Sequence, residues 1–136
     1  MTSMPHPRPE DLNTRECIQV FNENEFARLL GMVITEARDG YARVTMNCTG
    51  KLNPSGAAHG GAIFALADQA FGIASNCGGI HRTAISISIH YLAPATGDLV
   101  AIAERVKDNG TTDTFRVIIY AGDRTVAEFT GVAFRV

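Results

Sequence analysis

The chain has no run of like charge, no long apolar stretch and few cysteines, and each absence removes a class of function. Its 136 residues carry 12 Lys and Arg against 14 Asp and Glu, scattered along the chain, for a net charge of −2. That distribution contains no basic footprint for nucleic acid or an anionic membrane surface. No stretch approaches roughly 18 uncharged apolar residues, so no membrane-spanning helix is expected. Residues 1–9 hold three prolines and no apolar core, so no signal peptide is expected either. Metal motifs are missing: there is no Cys-x-x-Cys and no His-Glu-x-x-His, and His6, His59, His81 and His90 have no ligand spacing. A Gly-x-Ser-x-Gly elbow, a Gly-x-Gly-x-x-Gly turn and a P-loop are absent as well. The three cysteines, Cys17, Cys48 and Cys77, are odd in number, widely spaced and set among apolar neighbours. This pattern predicts reduced core thiols in a cytoplasmic protein and not a disulfide frame.

What is present is an ordinary globular composition, 46% hydrophobic and 19% charged, at the length of one domain. Such a chain buries roughly 68% of its unfolded surface, enough for a sizeable core. Residues 1–22 read as a leader followed by a short helix opening at Pro9-Glu10-Asp11, and 23–136 as a single domain. A second short helix, Glu23 to Leu30, stops at Gly31. Two runs around Asp39-Gly40 predict a β-hairpin, the second placing Ala42, Val44, Met46 and Cys48 on one face. Turn formers fill 50–57. From Ala62 to Ser75 the only polar residues are Asp68, Gln69 and Ser75, which predicts a helix buried on nearly all sides. Strand patterns follow. Ala84 to Leu92 sets Ile85, Ile87, Ile89 and Tyr91 against Ser86, Ser88 and His90, and further strands flank Asn109-Gly110 and Gly122-Asp123. Five strands and one very apolar helix make an α+β domain whose antiparallel sheet curls around the central helix. The regular Ile-Ser-Ile-Ser-Ile strand would be an aggregation hazard as a free edge, so pairing with its copy in a homodimer is expected.

Asp68 is the most informative residue. An isolated carboxylate among apolar groups is costly unless it is paired, hydrogen-bonded or held with a raised pKa. It either faces solvent, caps a neighbouring backbone or serves a site, and the helix offers no polar face for it to join. His59-Gly60-Gly61 opens the same helix, where first-turn N–H groups and the helix dipole favour developing negative charge. The same residues also read simply as a tight turn with a capping histidine. Asp68 lies eight residues after Gly60, roughly 12 Å along a helix at 1.5 Å rise per residue. One reacting carbon cannot sit within reach of both in one chain, so joint action requires two subunits with antiparallel helices side by side.

The run Asn53-Pro-Ser-Gly56-Ala-Ala-His59-Gly60-Gly61 with Asp68 seven residues later resembles the signature of hotdog-fold acyl-CoA thioesterases of the phenylacetate-degradation (PaaI-like) type. Tyr91-Leu-Ala-Pro94-Ala-x-Gly97-Asp98 is similar to that family's segment after the helix, and the resemblance covers about Gly31 to Val136. It implies a hotdog fold, a homodimer or a dimer of dimers, and an acyl-CoA substrate whose coenzyme A is the only cofactor-like group. It also implies that Gly60 N–H receives the thioester oxygen and that Asp68 of the partner chain acts as nucleophile or general base. By the same resemblance Asn53 positions water or substrate and His59 holds the loop. Gly61, Gln69, Thr83, Arg82 and Asn109 form the implied substrate-binding set, with the nucleotide at the surface near Arg82 or the Asn109-Gly110 turn. Many members carry Ser or Thr where this chain has Ala84, and Thr83 stands next to it. A hotdog hydratase or dehydratase, and a non-catalytic acyl-CoA binding module, are the competing functions.

Overall fold

The computed structural model describes residues 13–136. The helix start expected at Pro9-Glu10-Asp11 lies outside them. Helix α1, Thr14–Glu23, begins at Asn13, whose side chain accepts from Glu16 N–H while Glu16 reaches back to Asn13 N–H. This reciprocal capping box satisfies two donors at once. Helix α2, Glu25–Leu30, starts at Asn24 and ends at Gly31, whose φ of 65° is the left-handed cap that favours glycine.

Strands β1, Val33–Arg38, and β2, Tyr41–Asn47, form the expected hairpin, and Ala42, Val44, Met46 and Cys48 are all buried. Helix α3, Gly60–Asn76, follows the 50–57 loop. The remaining strands are β3, Arg82–Tyr91, β4, Asp98–Asp108, β5, Thr112–Ala121, and β6, Arg124–Arg135. The sheet therefore has six strands and not five, since both arms of the first hairpin join it, in the order β1-β2-β4-β5-β6-β3 with every pairing antiparallel.

The concave face of this sheet encloses α3. Leu66, Ala67, Ala70, Ile73 and Ala74 are fully buried against Val44, Ala101, Ala103, Val117 and Phe129. Phe71 packs against Phe115 and Phe129 with ring centroids 5.5 and 5.6 Å away. Its ring also lies 2.7 Å from where a Cβ at position 131 would stand, so β6 needs Gly131 there. Burying each such large side chain contributes about 1.5–3 kcal/mol.

Strand β3 is an edge, as its pattern led us to expect, but its faces differ from simple alternation. A bulge between Ala84 and Ser86 shifts the register against β6. Ala84 then pairs with Ala133 and Ile87 with Gly131, while Ile85 is the extra residue and is 57% exposed. Ile85 thus leaves the face it was expected to share with Ile87 and Ile89.

Two expectations need correction. Cys17 and Cys77 are joined by a disulfide and only Cys48 is a free, buried thiol. Helix α1 lies against the C-terminal end of α3, which brings Cα atoms 60 positions apart in sequence to 5.8 Å. That approach lies within disulfide range, and spacing along the chain does not reveal it. Arg82, expected at the surface, is buried: Nη1 donates to Ser75 O at 2.7 Å and Nη2 lies 2.6 Å from Asp113 Oδ2. Arg105 and Arg135 approach the same carboxylate at 3.7 and 3.8 Å. Burial pushes the Arg82 pKa below the ordinary arginine value, with Asp113 opposing.

This cluster closes the sheet at the C-terminal end of α3. Replacing Asp113 with Ala strands the Arg82 charge, and we expect a loss of about 3–5 kcal/mol in urea unfolding. Replacing the pair together, Arg82→Met with Asp113→Leu, should lose much less, because no uncompensated buried charge remains.

Candidate active site

The N-terminal end of α3 is built differently from the other. His59 is its N-cap, in extended backbone, and its Nδ1 accepts from Gly61 N–H at 2.9 Å. An acceptor at Nδ1 puts the proton of the neutral ring on Nε2. His59 N–H donates to Lys51 O at 2.8 Å, and Ala62 and Ile63 N–H both donate to His59 O. Gly60 is the exception: among the described residues no acceptor meets its N–H. One backbone donor at the positive end of a 17-residue helix is therefore uncommitted.

Neither glycine of this turn has a positive φ. What Gly61 supplies is room, since a Cβ there would meet His59 Nδ1 at 3.1 Å, whereas one at Gly60 would stand in ordinary contact with the Tyr91 ring at 3.4 Å. The Tyr91 hydroxyl donates to Gly60 O at 2.9 Å.

Asn53 organises the preceding loop. Its Oδ1 accepts from Ser55 N–H at 2.9 Å and Ala57 N–H at 3.1 Å, and its own N–H donates to Ala57 O. The acceptor side of the amide is thus used locally. Asn53, Ala57, Gly60, Ile63, Tyr91 and Pro94 line a pocket of about 330 Å³. A second hollow of about 320 Å³ lies on the other side of the turn, between α2 and His59-Gly61.

Asp68 is exposed in the single chain, and its carboxylate has no hydrogen bond or ion pair among the described residues. The apolar helix and its neighbours still withdraw enough water to raise its pKa above the ordinary aspartate value, burial being the cause. It lies where the sheet leaves α3 open, on the exposed side that it shares with Gly61. The neighbouring stripe is covered by α1: Gln69 Nε2 donates to Phe21 O at 3.0 Å.

The other residues implied by resemblance fall elsewhere. Thr83 pairs with Phe134 on the outer face of the sheet, while Ala84 takes the inner one beside Ala133. Asn109 forms the β4–β5 turn through Thr112 O. Arg82 and Asn109 both sit at the closed end, across the full length of α3 from Gly60. The sequence reading named Tyr91 as part of a segment but gave it no role, because its contact with Gly60 joins positions 31 residues apart. No group of three or more His, Cys, Asp or Glu among the described residues is placed to hold a metal.

Residues 55–128 match the model of the Thioesterase superfamily. The chain belongs to that family. Within it, the chain is 33% identical over 121 residues to the acyl-coenzyme A thioesterase PaaI of Escherichia coli K12, covering 86% of each. The solved structure of the E. coli PaaI protein from the phenylacetic acid degradation operon superposes with a TM-score of 0.83 at 29% identity, over 92% of this chain and 96% of that one. A Streptococcus mutans protein bound to acetyl CoA gives 0.72 at 30% identity, over 77% and 88%. The chain is thus a PaaI-like hotdog thioesterase, an enzyme of thioester hydrolysis.

Asn53 offers a way to separate loop building from chemistry. Asn53→Asp keeps oxygen acceptors for Ser55 and Ala57 and exchanges the NH2 donor for a carboxylate oxygen. Stability should change by no more than about 0.5 kcal/mol. Turnover of a thioester, followed by thiol release, should fall at least about tenfold, the value of one lost hydrogen bond in the reacting complex.

Proposed function

We propose that the protein hydrolyses acyl-CoA thioesters, with an aryl, hydroxyaryl or short-to-medium acyl group, to the free acid and coenzyme A. The observation that carries this reading is the uncommitted N–H of Gly60, a residue that lines the pocket beside Asn53 and Tyr91. An oriented donor of this kind stabilises an oxyanion as it forms. The likeness to the E. coli acyl-CoA thioesterase and to a protein bound to acetyl CoA supports the choice of coenzyme A esters.

Asp68 supplies the carboxylate, as general base. Its raised pKa makes it a stronger base toward water than an ordinary aspartate. The water oxygen attacks the thioester carbon, its proton passes to Asp68, and the oxyanion rests on Gly60 N–H. Collapse expels the thiolate, which recovers the proton from Asp68. Asp68 stands about 12 Å along α3 from Gly60 at 1.5 Å per residue, so the base acts on the partner's thioester. The open stripe of α3 and the free edge of β3 are the surfaces that support a dimer.

Asp68→Ala should lower turnover at least about 100-fold while leaving assembly intact. Near-wild-type thiol release across a panel of short, medium, long, aryl and hydroxyaryl CoA esters would refute the role. No release by the wild type from any member would favour the non-catalytic binding reading. A monomer at micromolar concentration that turns over substrate would refute the shared site.

The pH dependence has a definite sign. The base works ionised, so kcat/KM should fall as pH drops through the raised Asp68 pKa, and this acid limb should vanish in Asp68→Asn. Stability runs the other way. A carboxyl pKa raised by folding favours the native state at low pH, and that advantage is lost as pH rises through the folded value. Asp68→Asn should therefore raise the Tm at pH 7 and leave it unchanged at pH values below the ordinary aspartate pKa.

A further inference from the structure

Tyr91 stands where the edge strand meets the first turn of α3. It is the last residue of β3 and pairs with Ala127, which is fully buried. The chain just after it is pinned, since Leu92 N–H donates to Val126 O at 2.8 Å. The Tyr91 backbone is therefore fixed by the sheet, and its ring reaches over the helix N-terminus. There the hydroxyl donates to Gly60 O at 2.9 Å. Ring atoms Cζ and Cε1 lie 3.4 and 3.6 Å from the place a Cβ at position 60 would occupy. Gly60 thus has a hydrogen bond on its carbonyl, a ring against its Cα and nothing on its N–H.

We infer that Tyr91 is a positioning residue for thioester hydrolysis: it fixes residue 60 so that the free N–H points into the pocket both residues line. The inference rests on the thioesterase reading above and adds what aims the donor. A Cβ at position 60 would stand in ordinary van der Waals contact with the ring, at 3.4 Å, so it is the hydroxyl on the Gly60 carbonyl that carries the positioning.

Tyr91→Phe keeps the ring and deletes the hydroxyl. We expect kcat to fall about tenfold, as for one lost hydrogen bond that orients the donor. KM should stay within about twofold, a split that a merely structural residue would not produce. The second variant, Tyr91→Ala, removes ring and hydroxyl together, and its kcat should fall at least as far as that of Tyr91→Phe.

Wild-type activity with Tyr91→Phe within twofold of it in kcat would overturn the role of Tyr91 and leave the thioesterase reading standing. A Tyr91→Ala variant with kcat closer to the wild type than Tyr91→Phe would overturn the part played by the hydroxyl. A wild type inactive on every CoA ester would overturn the thioesterase reading, and the positioning role with it. A Tyr91→Phe chain that fails to unfold cooperatively would assign Tyr91 to stability and overturn the inference.

Discussion

The constraint on which the rest depends is that α3 has almost no polar side chains and must be enclosed. A helix apolar on nearly all sides cannot lie on a surface, and here a six-stranded sheet curls around it. The enclosure works because α3 is rich in alanine where the strands come close, at Ala67, Ala70 and Ala74, and because β6 yields at Gly131 to admit Phe71. Six strands cover most of the circumference and α1 covers part of the remainder through Phe21 and Cys17. One stripe stays open, and it carries Asp68.

The two ends of the helix are treated in opposite ways. At the C-terminal end Arg82 donates to Ser75 O, Asn76 accepts from Arg82 N–H, and Ala74 O accepts from Gly40 of the first hairpin. A cation there also complements the negative end of the helix dipole. At the N-terminal end the donors are assigned one by one until Gly60 alone is left. This donor lies at the end of the dipole where negative charge is favoured.

Much of this was legible in the sequence because it depends on short-range pattern. The buried helix, the Asp39-Gly40 hairpin and the His59 cap follow from residue types within a few positions of one another. Asp68 was conspicuous for the same reason, as one charge in a run without others. The parts that were not legible depend on register and packing between distant segments. A bulge moves Ile85 off its face, a property of the β3–β6 ladder that Ile-Ser-Ile-Ser-Ile alone does not encode. Cys17 meets Cys77 only because α1 lies on the end of α3. Arg82 looked like a surface cation, since its buried partner Asp113 is supplied by another strand. Tyr91 belonged to a recognisable segment, yet nothing local to it announced that its hydroxyl would reach Gly60.

The His-Gly-Gly turn acquires a physical meaning from these contacts. Both glycines have ordinary φ, Gly61 leaves room for the His59 ring, and Gly60 is held through its carbonyl by the Tyr91 hydroxyl. A turn held in this way suits the oxyanion-donor role proposed for Gly60, because preorganisation avoids reorientation during the reaction. Tyr91 belongs to the edge strand β3, the strand expected to pair with a second copy. Through Tyr91, the aim of one subunit's donor is tied to the strand on which assembly would depend, and assembly in turn would bring in the partner's Asp68. Donor orientation is set within one chain, by the β3–β6 pairing that fixes Tyr91, whereas delivery of the proposed base would depend on pairing at the free edge, so a subunit that has not paired would lack the base.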